Sequence, residues 1–119
     1  MNDNTNEKPF DLGERTFQYA KRILDICEKL PNTPEGRNIR TQLSKAGTSI
    51  AANYEEGDGE HTRKAKRKCF VVSRKEAREA KLWLRLISDR YVPEAELAPE
   101  IMEAQELINI FSKIIEKLS

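Results

Sequence analysis

Histidine, cysteine and glycine are scarce in this 119-residue sequence, which has one His, two Cys and five Gly. A di-iron helical bundle needs Glu-x-x-His pairs, which one histidine, His61, cannot supply. Neither cysteine has a histidine at helical spacing, and no serine elbow or glycine-rich phosphate loop appears. No catalytic residue, metal site or cofactor is therefore expected. Cys27 and Cys69 fall at apolar positions of different helices without paired spacing, so they read as small hydrophobes in a reducing compartment, not a disulfide or a zinc site. Long apolar runs are also missing: nothing approaches membrane-spanning length, and Met1 to Pro9 lacks the charged start and apolar stretch of a signal peptide, so the expected location is cytoplasmic. Nor is there a charge excess. The formal net charge of +1 excludes strong global attraction to nucleic acid or membrane and leaves local asymmetry as the only electrostatic device.

Helix-forming pattern fills the space left by these absences. Residues 1–9 read as a disordered lead and 10–119 as one domain. Asp11 and Glu14 suit a helix start, and helix one should run to about Leu30, with Phe17, Ala20, Leu24 and Cys27 on one apolar line and Tyr19, Ile23, Ile26 and Leu30 beside it. Thr33 and Pro34 open a second helix, expected over about Glu35 to Glu56. Its core line is Ile39, Leu43, Ala46, Ile50 and Asn53. Gly57-Asp58-Gly59 reads as a break. The third helix, expected to be the longest, should span about His61 to Arg90, with Phe70, Ser73, Ala77, Ala80, Leu84 and Ile87 inward. Phe70 and Trp83 read as core anchors, not as a base-stacking platform. A fourth should begin near Leu97, with Pro99 in its first turn, and reach about Leu118. It carries one stripe of Ile101, Ala104, Ile108, Phe111 and Ile115 and a second of Leu107, Ile110 and Ile114. Four amphipathic helices with short connections predict an all-α, antiparallel up-down four-helix bundle.

Charge is concentrated on helix three. Between Arg63 and Arg85 lie ten basic and two acidic residues, a net +8 that leaves about −7 for the rest of the chain. At 3.6 residues per turn, Lys64, Lys68, Lys75, Arg78 and Arg85 project roughly opposite the core line. With Arg63 and Arg67 they are the candidate nucleic-acid-binding residues, because aligned Lys and Arg release counterions when they neutralise a phosphate backbone. A plain solvated helix face is the other reading of the same run. Ser44, Thr48, Ala51 and Ala52 on helix two, small enough for close approach, and Val71, Leu82 and Leu86 on helix three are the candidate oligomer interface. A polar cluster of Gln42, Ser49, Asn53, Glu56, Ser73 and Glu76 reads as groups that satisfy one another and set helix register, or as a binding cluster.

The run from Gln42 to Gly57, with its Ser49-Ile50-x-x-Asn53-x-x-Glu56-Gly57 core, resembles the four-helix-bundle intervening-sequence proteins encoded within insertions in large-subunit ribosomal RNA genes. Phe70, Ser73, Glu76, Ala77, Glu79 and Trp83-Leu84 resemble their third helix, and Phe10-Asp11-Leu12 their start. The resemblance implies homo-oligomers, commonly pentamers. It also implies kinship with the accessory variability determinant of diversity-generating retroelements, which partners a reverse transcriptase and binds nucleic acid through a basic surface. The dense cations of Arg63 to Lys68 and Lys75 to Arg78 shift this chain toward that relative.

These readings together describe a non-enzymatic homo-oligomer that binds RNA or DNA non-specifically through helix three, as accessory to a larger nucleic-acid machine. The alternative is a protein-interaction scaffold for an acidic partner. Light scattering at micromolar concentration is expected to give a species several times the 13.7 kDa chain mass; a 13.7 kDa species would contradict oligomerisation.

Overall fold

Helix starts in this chain are made by side chains, as a computed structural model describing residues 11–119 shows. The expected lead over residues 1–9 lies outside the described residues. Asp11 accepts a hydrogen bond from the Glu14 amide at 3.1 Å and opens α1 (Leu12–Cys27). Thr33 does the same for Gly36 at 3.1 Å and opens α2 (Pro34–Asp58), with Pro34 in the first turn. Thr62, not His61, caps α3 (Arg63–Ile87) by accepting from Ala65 at 3.1 Å. The fourth start is different: α4 (Glu94–Lys117) follows Pro93, which offers no side-chain cap. Asp89 reaches across the loop instead and accepts from the Glu94 amide at 2.9 Å. Its backbone φ of 60° is a left-handed conformation that Asp tolerates better than most residues.

The four helices form the expected antiparallel up-down bundle. α2 packs on α1 and α3, α3 on α4, and the α1–α4 edge is bridged mostly by long side chains. Tyr19, Ile23, Leu43, Ile50, Ala77, Leu84, Leu107 and Phe111 fill the centre. All six residues of the expected α3 core line are buried.

Several boundaries differ from the sequence reading, each for a local reason. α1 ends at Cys27, three residues before Leu30, and Leu30 is buried from the turn that follows. α2 does not break at Gly57: it continues through Asp58, and Gly57 serves as a contact point. A Cβ there would lie 2.6 Å from Phe70, so the missing side chain is what lets α3 approach. Among the described residues no glycine has positive φ, and the loop lies beyond Asp58. α3 ends at Ile87 and equals α2 in length, at 25 residues each. α4 starts at Glu94, so Pro99 lies inside the helix, beyond the first turn, at the loss of one backbone donor.

On the first expected line of α1, Ala20 and Cys27 are buried, but Phe17 and Leu24 are not core. Those two are 52% and 43% exposed, because the buried stripe of α1 runs through Leu12, Thr16, Tyr19, Ile23 and Ile26. Thr16 can occupy the core because its hydroxyl donates to the Leu12 carbonyl at 2.6 Å. A polar residue thus holds the position that the pattern assigned to its neighbour. Ile39 and Asn53, at the two ends of the expected α2 line, are half-buried. Val71 also departs from expectation, packing half-buried against the core. In the second stripe of α4, Leu107 is buried and Ile110 and Ile114 pack half-buried against the core.

Gly47 brings α1 and α2 into contact: an added Cβ would meet Ile23 Cγ2 at 2.6 Å and its Cβ at 2.8 Å. Gly→Ala inside a helix ordinarily stabilises by up to about 1 kcal/mol. Here overpacking against a β-branched neighbour should outweigh that gain. Gly47→Ala is expected to lower stability by about 1–3 kcal/mol in urea unfolding, and a raised midpoint would contradict the close approach.

Candidate nucleic-acid interface

All seven cations singled out from the sequence, Arg63, Lys64, Arg67, Lys68, Lys75, Arg78 and Arg85, are exposed. Helical projection divides the α3 cations into two rows. Lys64, Lys68 and Lys75 point away from the bundle, whereas Arg63, Arg67, Arg78 and Arg85 lean toward α4. Two further cations complete the second row. Arg74 donates to the Ser112 hydroxyl at 3.2 Å and Lys81 to Gln105 Oε1 at 2.6 Å, both across the α3–α4 seam. Lys113 of α4 joins Arg67 and Arg74 around one shallow concavity of the seam, and Arg78, Lys81 and Arg85 line a second. The sequence reading had counted Arg74 and Lys81 in the charge run but not as site residues, and had overlooked Lys113. Opposing α4 positions, which identify them, exist only after packing.

The partners of these cations are uncharged. Arg63 donates to the Lys117 carbonyl at 2.6 Å and Arg67 to the Ser119 hydroxyl at 3.2 Å, as Arg74 and Lys81 do to Ser112 and Gln105. Four long side chains are thereby held in place without losing their charge. Among the described residues no α3 cation forms an ion pair. A neutral acceptor orients a guanidinium yet leaves its field intact, whereas a carboxylate would cancel it.

The acidic side chains of α4 are turned the other way. Glu103 and Glu106 pair with Arg15 of α1 at 2.6 and 2.7 Å, Glu100 with Arg22 at 2.8 Å, and Glu96 with Lys29. The Glu103 hydrogen bond, reinforced by Glu106, holds the Arg15 guanidinium more firmly protonated than usual. Glu35 sits at the loop end, where the Tyr91 hydroxyl and Arg90 lower its pKa. Glu116 is the carboxylate that remains in the seam.

The polar cluster between α2 and α3 does not close on itself. Asn53 donates to the Ser49 carbonyl at 2.9 Å and Ser73 to the Ile50 carbonyl at 3.0 Å, while Glu56 is exposed. For Asn53 the carbonyl one turn back on its own helix is a nearer acceptor than a side chain on the next helix, and Ser73 reaches across to the α2 backbone instead. Glu76 is consequently left 8% exposed with Oε1 unpartnered, and burial, with Glu79 nearby, raises its pKa. The expectation that Asn and Glu here satisfy one another is corrected.

The candidate interface residues lie on separate surfaces. Ser44, Thr48 and Ala51 are half-buried and Ala52 exposed, on the side of α2 that borders exposed Phe17 and Leu24 of α1. Leu82 and Leu86 are 49% and 51% exposed within the cation face of α3. Val71 belongs to the core edge. Cys27 is buried, its thiol pushed up to about 11 by desolvation, but Cys69 is half-buried, short of the burial expected. Among the described residues no group of three or more His, Cys, Asp or Glu could hold a metal ion. None of the described helices is long and apolar enough to cross a membrane.

The model of the 23S rRNA-intervening sequence protein family matches residues 9–115. A crystal structure of a protein of unknown function from the S23 ribosomal protein family of Bacteroides thetaiotaomicron superposes with a TM-score of 0.80 at 25% identity, covering 87% of this chain and 97% of that one. No curated protein matches the chain.

The raised pKa of Glu76 has a definite sign. The folded state binds its proton more tightly than the unfolded chain does, so this group favours folding at acid pH and disfavours it as pH rises through the folded pKa. Glu76→Gln, which keeps the shape but removes the buried charge, is expected to stabilise the protein at pH 7 by about 1 kcal/mol, the low end of the cost of desolvating a buried group. In urea unfolding across pH, that advantage should vanish below about pH 4, where the wild-type carboxyl is protonated in both states.

Proposed function

The chain belongs to the 23S rRNA-intervening sequence protein family, and we propose that it is a non-enzymatic, homo-oligomeric bundle that binds nucleic acid through the cation face of α3. One observation carries this reading: Arg63, Arg67, Arg74 and Lys81 are positioned by neutral oxygens and keep their charge. Side chains pinned in this way lose less conformational freedom on meeting a phosphate. Contacts from Lys and Arg to phosphates position a polymer without reading its bases, so the binding is non-specific in sequence. Oligomerisation would use the surface where Phe17 and Leu24 stand beside Ser44, Thr48, Ala51 and Ala52, large apolar groups next to small ones. Copies joined there would repeat the cation face and multiply its phosphate contacts by effective concentration. Such an assembly suits an accessory subunit of a larger nucleic-acid machine, of which a reverse transcriptase is one kind.

Exposed Leu82 and Leu86 favour a second reading, a scaffold for an acidic protein partner. Co-purification of one protein with no nucleic-acid absorbance would support it.

Binding should be measured over a salt series for the wild type and for a variant with Lys64, Lys68, Lys75 and Arg78 changed to Glu. The wild type is expected to lose affinity linearly in log–log form as salt rises. The variant should bind more than about tenfold more weakly and with a flatter slope, since each lost phosphate contact reduces the slope by about 1. Affinity that ignores both salt and the substitutions would overturn nucleic-acid binding.

A further inference from the structure

Within the α3–α4 seam a short chain of hydrogen bonds has a forced direction. Lys81 can only donate, so Gln105 must present Oε1 to it, at 2.6 Å. The Gln105 amide nitrogen is then the donor to Asn109 Oδ1, at 2.9 Å. Asn109 therefore turns its Nδ2 outward, as a neutral donor on an exposed residue of α4. Almost one turn further on, Ser112 accepts from Arg74 at 3.2 Å and keeps its own proton to donate. Asn109 and Ser112, three residues apart, share one face of the helix beside the cation row.

We propose that the polymer bound here is RNA in particular, with phosphates over the α3 cations and ribose 2′-hydroxyls against Asn109 and Ser112. The proposal rests on the nucleic-acid reading above and deepens it. Charge-assisted hydrogen bonds are roughly twice as strong as neutral ones, so phosphates take the Arg and Lys groups first. A strand with its phosphates over α3 presents its sugars on a flank, and the α4 flank offers an amide and a hydroxyl. A 2′-hydroxyl, both donor and acceptor, matches them, and DNA has no oxygen at that place. Discrimination by base stacking is not available on this face, where the exposed apolar groups are Leu82, Leu86 and Met102; Phe17, the exposed Phe among the described residues, lies on α1. The seam thus tells one polymer from the other and leaves the bases unread.

The test compares fluorescence anisotropy for RNA, DNA and 2′-O-methyl RNA duplexes of one sequence, with wild type and the Asn109→Ala, Ser112→Ala double variant. Wild type should prefer RNA by about fivefold or more, the scale of one or two neutral hydrogen bonds. The 2′-O-methyl duplex, whose methyl group crowds the ribose oxygen away from Asn109 and Ser112, should fall to near the DNA value, which separates the ribose contact from helix shape. In the double variant RNA affinity should drop to that of DNA, with DNA affinity and salt slope unchanged, since no charge is lost. Gln105→Glu, which places a carboxylate on Lys81, should reduce the salt slope by about 1 on every polymer. Equal wild-type affinity for RNA and DNA, or undiminished binding of 2′-O-methyl RNA, would overturn this proposal while leaving phosphate binding in place. Absence of salt-dependent binding to any of the three would remove both.

Discussion

Ion pairing between α1 and α4 governs the electrostatic layout of the molecule. Arg15, Arg22 and Lys29 lie along one edge of α1, and Glu96, Glu100, Glu103 and Glu106 answer them from α4. Each exposed or half-exposed pair adds little stability, of the order of 1 kcal/mol or less. Their larger effect is on rotation: with its carboxylates turned to α1, α4 shows α3 a neutral edge of Gln105, Asn109 and Ser112. Had those carboxylates faced α3, they would have cancelled the cation row, and the +8 segment would have been a set of internal salt bridges.

Close helix approach supplies the second constraint. Gly47 against Ile23 and Gly57 against Phe70 let α2 lie near both neighbours, and the Tyr54, Phe70 and Phe111 rings cluster at that end with centroids 5.6–6.3 Å apart. The tight packing also leaves Glu76 Oε1 as one of two unpartnered buried side-chain atoms among the described residues, the other being Glu100 Oε1. Glu76 occupies a position from which its Oε1 finds no donor, because Ser73 and Asn53 bond to the α2 backbone. A bundle that retains such a group gives up stability there.

Much of the fold was legible from residue order. Helix caps at Asp11 and Thr33 and the six-residue inner line of α3 depend on neighbours within a turn or two. Misreadings came where two local signals competed. Phe17 outranked Thr16 as a core residue on hydropathy, yet Thr16 satisfies its hydroxyl on its own helix and is buried. Gly57 read as a turn because glycine permits one, whereas here its value is the absence of a side chain between helices. Pro99 read as a first-turn residue because the true start, held by Asp89 from across the loop, leaves no mark at Glu94.

The candidate site divides along the same line. By itself the sequence determined that four amphipathic helices would form, that cations would concentrate on the third, and that its aromatic and alanine side would turn inward, since all of these follow from the 3.6-residue period. Only the tertiary structure decided that Arg74, Lys81 and Lys113 belong with the cations, that neutral oxygens hold Arg74 and Lys81, and that Glu96, Glu100, Glu103 and Glu106 of α4 are occupied by α1. Those outcomes depend on which flanks of different helices meet. That choice is made by packing over the whole bundle, and no stretch of chain encodes it alone.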